Sequence, residues 1–292
     1  FERITFRPRM LVDVSSQDLS VELFGETLFT PLIAGPTALP GRVHPEGEVA
    51  VRQGAAAARA RMVRSARSSI PLEAVARAAD APGGSQLSPS ADLGALASKA
   101  AQAADRGAKA LVLTVGAEAY SRLDADVHNQ ETSGLPDAPA ARVDAVESLR
   151  HLKQAVPLPV VVKGVLSPLE AVAAIDAGAD GLCVSNHGGR VVDGVPAAIE
   201  ALPAVVDAVP ADVPVLVDGG FRRGSDVLKA LAFGAKGVLL GRPILWALAA
   251  WGAPGVQRLI ELMQSELALA MGLAGQPSVA DLNRDLVKLH RW

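Results

Sequence analysis

Cysteine is almost missing from this 292-residue chain, where Cys183 stands alone. One thiol excludes an internal disulfide and a cysteine-built metal cage, and it fits a reducing compartment, by default the cytoplasm. Blocks of like charge are missing too. Lys and Arg number 28 against 31 Asp and Glu, a net charge of -3, and no basic run is present to neutralise a nucleic-acid backbone. No apolar tract is long and clean enough to cross a bilayer. The best, Gly237 to Val256, holds Arg242, Pro243 and Pro254 and reads as core. The chain opens Phe1-Glu2-Arg3-Ile4 with neither an apolar leader nor an initiator methionine, and reads as cut short at that end. Also absent is an early Gly-x-Gly-x-x-Gly between a strand and a helix, which weighs against a doubly wound dinucleotide-binding sheet.

What is present is core material. Half the residues are hydrophobic and 20% are charged, a composition that folds rather than staying disordered. A Gly-Ala pair followed by an apolar run recurs at Gly107-Ala108, Gly178-Ala179 and Gly234-Ala235, each after an Ala-rich stretch of helical spacing. Glycine there predicts a helix C-terminus with positive φ, followed by a buried strand. Short apolar runs fall near 31–35, 60–65, 83–88, 109–116, 156–164, 180–186, 214–220 and 237–242. Eight such runs separated by helical stretches predict a closed (β/α)8 TIM barrel, with residues 1–292 as a single domain. The third is the weakest, because Gly83-Gly84-Ser85-Gln86 has little strand propensity. The polar stretch Asp124–Ala141 reads as a loop at the barrel mouth, a further helix is expected at 254–273, and Trp246, Trp251 and Phe233 read as core or, alternatively, as an oligomerisation surface.

Barrel chemistry sits beyond the C-terminal ends of the strands, so the residues that follow each apolar run are the candidates. In order they are Pro36-Thr37-Ala38, Ser65, Gln86, Thr114, Lys163-Gly164, Ser185-Asn186-His187-Gly188-Gly189-Arg190, Asp218-Gly219-Gly220-Phe221-Arg222 and Gly241-Arg242. Glycines and arginines at the last two ends suit a phosphate, since backbone N–H groups and guanidinium forks both converge on anions. Lys163, after three valines, needs either a charge partner such as Asp218 or an anionic ligand to stabilise. His187 among small residues suits a general base, although a structural histidine fits the same pattern.

The run Ser185-Asn186-His187-Gly188-Gly189-Arg190, with Val162-Lys163-Gly164 before it and Asp218-Gly219-Gly220 and Gly241-Arg242-Pro243 after it, closely resembles the FMN-dependent 2-hydroxy-acid oxidases and dehydrogenases. The likeness runs from about Phe6 to Ala250. It implies that Pro36, Thr37, Ala38, Ser65, Gln86, Thr114 and Ser185 line the flavin of FMN, with Lys163 at its N1/C2=O edge. It further implies that Asp218, Gly219, Gly220, Arg222, Gly241 and Arg242 hold ribityl and phosphate, that His187 is the base, and that Arg190 receives the substrate carboxylate. The reaction implied is oxidation of a 2-hydroxy acid to a 2-oxo acid with hydride transfer to flavin N5, the acceptor being O2, a quinone or a protein. The family habit is a homo-oligomer, usually a tetramer.

This chain departs from the family pattern around the substrate. Ser88 stands where the family has a tyrosine, Gly116 where an aspartate orients the histidine, and Leu123 where a second arginine shares the carboxylate. An N-terminal tyrosine of the family has no counterpart, and Tyr120, the one tyrosine present, is the candidate substitute. Ser88, Tyr120 and Leu123 are therefore candidate substrate contacts. With Leu123 reducing the cationic character of the pocket, a bulkier amine or biosynthetic intermediate is an alternative substrate. FMN binding with little oxidase activity is another alternative.

Overall fold

The computed structural model describes residues 1–116 and 143–290. Three short strands come first: β1 (Ile4–Phe6), β2 (Val21–Leu23) and β3 (Glu26–Leu28). Next come β4 (Leu32–Ala34), β5 (Arg61–Arg64), β6 (Gly83–Leu87), β7 (Ala108–Thr114), β8 (Val160–Val165), β9 (Gly181–Val184), β10 (Val215–Asp218) and β11 (Gly237–Leu240). These eight close a barrel in which consecutive strands are neighbours and β11 returns to β4. All eight expected strands are found, and every pairing in the ring is parallel.

The continuous apolar runs are buried on both faces. Ile33, Val63, Val112, Val161, Cys183, Leu216 and Leu239 form one cluster inside the ring, joined by Phe24 at the tip of the β2–β3 hairpin. Alternate residues such as Leu32, Leu111, Val160, Leu182 and Val238 join the larger cluster shared with the helices. That alternation is the two-sided burial expected of parallel strands.

The weak third run forms β6 because crowding there selects glycine over propensity. A Cβ on Gly83 would lie 2.5 Å from the carbonyl oxygen of Met62 and 2.6 Å from Arg52 Nη1. Sheet neighbours on both sides then set the strand.

Helices α1 (Gly47–Ala57), α2 (Leu72–Arg77), α3 (Leu93–Asp105), α4 (Ala145–Ala155), α5 (Pro168–Asp176), α6 (Ala198–Ala208), α7 (Gly224–Ala232) and α8 (Arg242–Leu273) surround or follow the strands. Gly107, Gly178 and Gly234 have φ of +82°, +104° and +101°, as the Gly-Ala repeat predicts. The helix expected at 254–273 is the second part of α8, which starts earlier: Pro243 lies in its first turn, where a proline needs no donor partner. Non-helical Trp251 and Gly252 break it before Pro254.

The end of the chain is short 3-10 turns and β12 (Val287–Leu289), which pairs antiparallel with β1. Two tryptophans depart from the core expectation. Trp246 and Trp251 are 56% and 75% exposed, whereas Phe233 is buried. Both lie on α8 where it faces outward from the barrel, so its periodicity does not bury them. No helix among the described residues is long and apolar enough to cross a membrane.

Candidate active site

A cavity of about 460 Å³ opens beyond the C-terminal ends of the barrel strands, within the size range of small-molecule sites. Of the residues predicted from the strand ends, Pro36, Thr37, Ala38, Ser65, Gln86, Ser88, Thr114, Lys163, His187, Arg190, Asp218, Gly219, Gly220, Arg222, Gly241 and Arg242 all line it. Ser185 does not. It is fully buried behind the wall, where its hydroxyl accepts from Lys163 Nζ at 2.9 Å and from the His187 N–H at 3.0 Å. Its part in the structure is to tie two cavity residues together. Tyr120, Leu123 and the stretch from Asp124 to Ala141 lie outside the described residues.

At the floor, Lys163 on β8 is nearly buried, with Nζ 2.8 Å from Asp218 Oδ2 on β10. The ion pair with Asp218 expected as one alternative is formed, and Lys163 also lines the cavity. A carboxylate and a hydroxyl at hydrogen-bond distance give the buried ammonium the partners that burial requires. The other Asp218 oxygen, Oδ1, and the Thr114 hydroxyl are buried with no hydrogen-bond partner among the described residues. Orphaned polar atoms on the wall of a cavity fit a polar ligand that would satisfy them. Beneath them Cys183 is sealed in the barrel interior, where burial above all, then the charge of Asp218, push its thiol far up. It is a neutral core residue rather than a nucleophile.

Across the mouth, Gln86 on β6 organises the end of β5. Its Oε1 accepts from the Ala66 N–H at 2.8 Å and from Ser65 Oγ at 3.3 Å, while Ser65 Oγ in turn accepts from the Arg67 N–H at 3.1 Å. That turn brings Arg67 into the cavity wall, a residue the sequence reading missed. Its signal was present: a serine hydroxyl two residues upstream commonly folds the chain back on itself. Val191, Leu239, Leu240 and Leu245 were missed as well, because apolar wall residues look like core in a sequence.

His187 has φ of +55° and places its ring against glycine backbone. A Cβ on Gly164 would stand 3.1 Å from His187 Nε2 and 2.3 Å from the Val115 carbonyl oxygen, so only glycine leaves room for the imidazole. A Cβ on Gly116 would lie 3.7 Å from the same nitrogen. Gly116 therefore stands beside the ring.

The rim beyond β10 and β11 is cationic. Arg242 Nη2 donates to the Gly188 carbonyl at 3.0 Å, connecting the end of β11 to the histidine loop. Arg222 lies over the Trp246 ring at 4.7 Å. Burial, and then the neighbouring Arg242 charge, lower the proton affinity of Arg222. Two guanidiniums that repel each other beside Gly219, Gly220 and Gly241 form a pocket complementary to a phosphate dianion. With the orphaned atoms below, this donor set fits a flavin mononucleotide.

Comparison with known proteins points to the same cofactor. The family model described as FMN-dependent dehydrogenase matches residues 1–139 and 138–289. A peroxisomal (S)-2-hydroxyacid oxidase of Arabidopsis thaliana is 39% identical over 311 residues, covering 99% of this chain and 86% of that protein. An L-lactate oxidase of a Nostoc species is also 39% identical, covering 99% and 88%. Among solved structures, mandelate oxidase with 3,3-difluoro-2-hydroxy-3-phenylpropionic acid superposes with a TM-score of 0.92 at 40% identity, over 99% of this chain and 88% of that one. A barrel with this cavity, matched along nearly its whole length, belongs to the FMN-dependent dehydrogenase family.

Proposed function

We propose that this protein oxidises a 2-hydroxy acid to the 2-oxo acid, with His187 as the base and Arg190 as the carboxylate-binding cation. The observation that carries the reading is the placement of His187 and Arg190, three residues apart on one loop, in the same cavity wall as the buried Lys163. Hydroxyl and carboxylate are adjacent groups on such a substrate, and one short loop supplies the partner for each.

Pro36–Ala38, Ser65, Gln86, Thr114 and Lys163 would hold the ring of FMN; Asp218, Gly219, Gly220, Arg222, Gly241 and Arg242 would hold its ribityl and phosphate. When bound, FMN supplies a two-electron acceptor for the hydrogen on the carbinol carbon. His187 takes the hydroxyl proton. Its ring is held by the Gly164 backbone on one side, and its main chain by Ser185. Lys163, kept charged by Asp218 and Ser185, presents positive charge at the cavity floor where negative charge accumulates during the reaction. The cavity also argues against an amine substrate, because cationic side chains outnumber Asp218 in its described lining.

The test is anaerobic. The protein is loaded with FMN and the visible absorbance of the oxidised flavin is followed on adding glycolate, lactate, mandelates or matching amines. Bleaching by hydroxy acids and not by amines is expected. A flavin that binds but is bleached by no hydroxy acid would overturn the reading.

A further inference from the structure

Glu48, in the first turn of α1, is a carboxylate that the proposed reaction leaves unused: it is fully buried and lies outside the cavity lining. A buried charge needs partners close at hand. Both oxygens of Glu48 meet one residue in the turn after β5, Oε1 accepting from the Ser69 N–H at 2.6 Å and Oε2 from Ser69 Oγ at 2.7 Å. The Ser69 hydroxyl in turn accepts from the Gly41 N–H at 2.8 Å, in the turn after β4. One rung nearer the barrel, the Leu39 N–H donates to the Arg67 carbonyl at 3.0 Å. Within the barrel, β4 pairs with β5 as Ile33 with Arg61 and Ala34 with Met62. The loop rungs keep the same 28-residue offset as these strand rungs, so the register of the first two barrel strands continues past their ends. Between the two sets of rungs lie Pro36, Thr37, Ala38 and Ser65, and all four line the cavity. Leu39 stands at φ +51°, a left-handed conformation that such a side chain keeps only where its surroundings impose it.

Resting on the assignment of these four residues to the ring of FMN, we propose that Glu48 is a positioning residue: by fixing the Ser69 hydroxyl it holds the turns after β4 and β5 at the separation that the flavin ring requires. The count of donors and acceptors calls for a carboxylate. The one proton of the Ser69 hydroxyl goes to Oε2, which leaves its oxygen to accept from Gly41, while the Ser69 N–H takes Oε1. An amide at position 48 offers one acceptor where the carboxylate offers two, and sets an NH2 group against either the N–H or the hydroxyl. The same turn is held from the strand side by Arg64, the last residue of β5, whose Nη2 donates to the Ile70 carbonyl at 3.3 Å. Burial lowers the proton affinity of Arg64, and the charges of Glu48 and Glu73 raise it, so Glu48 steadies this second tie as well. Ser69 itself is exposed, and its hydroxyl can be removed without opening the core.

The experiment compares native protein with Ser69→Ala, Ser69→Thr and Glu48→Gln, each as apoprotein and with saturating FMN. Fluorescence titration gives the Kd for FMN, visible circular dichroism of the bound flavin reports the surroundings of its ring, and melting of the apoprotein reports the fold. Ser69→Ala and Glu48→Gln should weaken FMN binding by about 10-fold, the value of one hydrogen bond to a charged group. At saturation both should alter the visible dichroism, while apoprotein melting in Ser69→Ala stays near native. Ser69→Thr keeps the hydroxyl and should restore the native Kd and spectrum. A merely structural role would lower the melting temperature and leave the saturated spectrum native; that result, or native FMN affinity in Ser69→Ala, overturns the role of Glu48. Should Glu48→Gln fail to fold, the two Ser69 variants decide the question by themselves. Ala38→Phe tests the underlying assignment, because filling the seat of the ring should abolish FMN binding. FMN bound normally by Ala38→Phe overturns the placement of the ring and the proposal with it. FMN excluded by Ala38→Phe but bound normally by Ser69→Ala overturns the positioning role alone.

Discussion

The groups fixed on the strands and the groups carried on loops beyond them are built differently. Lys163, Asp218, Gln86 and Thr114 lie on strands or at their last residue, and most are held by short side-chain bonds to another strand or strand end. His187, Arg190 and Arg67 lie past the strand ends, where a serine hydroxyl, a left-handed residue or a glycine sets direction. The strand-fixed set makes a floor that the fold itself keeps rigid. In the proposed function the loop set does the recognition.

The sharpest way to separate the two sets is to remove the base. His187→Ala takes away a side chain that packs against Gly164 near the end of β8. We predict that flavin reduction by the best hydroxy acid slows by about 10²- to 10⁴-fold, the usual contribution of a positioned base. Bound FMN and thermal stability should stay near native, as measured by the absorbance of the holoenzyme and its melting curve. Loss of FMN would show that the loop and floor are one unit, and the comparison would fail.

The opposite outcome is expected at the floor. Lys163→Met leaves Asp218 buried without its cation, and breaking a buried pair from one side costs about 3–5 kcal/mol. Chemical denaturation should show this loss even in apoprotein, before any question of catalysis. Lys163→Met combined with Asp218→Asn should recover a large part of it. Equal stability of the single and double variants would mean the floor is more open to water than its 7% exposed lysine side chain indicates.

Between these lies the rim. Arg242→Ala removes one of the two rim guanidiniums and its bond to the Gly188 carbonyl, so FMN affinity should fall by about 10- to 100-fold. The loss should shrink as salt rises, because these charges are exposed to solvent. Fluorescence titration of free FMN at two ionic strengths checks both statements. An FMN affinity unchanged by the substitution would remove the phosphate role from this side of the mouth.

The same division explains what could be read from the sequence. All eight strands were legible because two-sided burial leaves an unmistakable apolar run, and glycine at 107, 178 and 234 marks where each run begins. Strand-end polar residues were legible for the same reason: once the run is placed, its end is placed. Arg67 was not, because its direction depends on the Ser65 turn rather than on the strand. Ser185, expected on the cavity wall, lies behind it, since a strand-end position says nothing about whether a small side chain faces the cavity or a neighbouring lysine. Trp246 and Trp251 misled in the other direction, because large aromatics on an outward-facing helix resemble core until the helix is oriented.

The smallest effect tests how well the floor is sealed from below. Cys183 lies in the barrel interior, and burial raises its thiol well above its ordinary range. In the unfolded chain the same thiol ionises near its usual value of about 8.5. Above that pH the unfolded state gives up a proton that the native state keeps, so unfolded chains bind fewer protons and stability falls as pH rises. The slope is about 1.4 kcal/mol per pH unit for one group. Denaturation of native protein and Cys183→Ala at pH 8, 9 and 10 should show this extra slope in the native chain alone, since the other titrating groups are common to both. The native thiol should also stay silent to a disulfide reagent until the barrel unfolds. A thiol that reacts quickly in the folded protein at pH 8 would mean that water reaches the layer beneath Lys163 and Asp218, and the distinction between a rigid floor and an adaptable loop set would lose its physical basis.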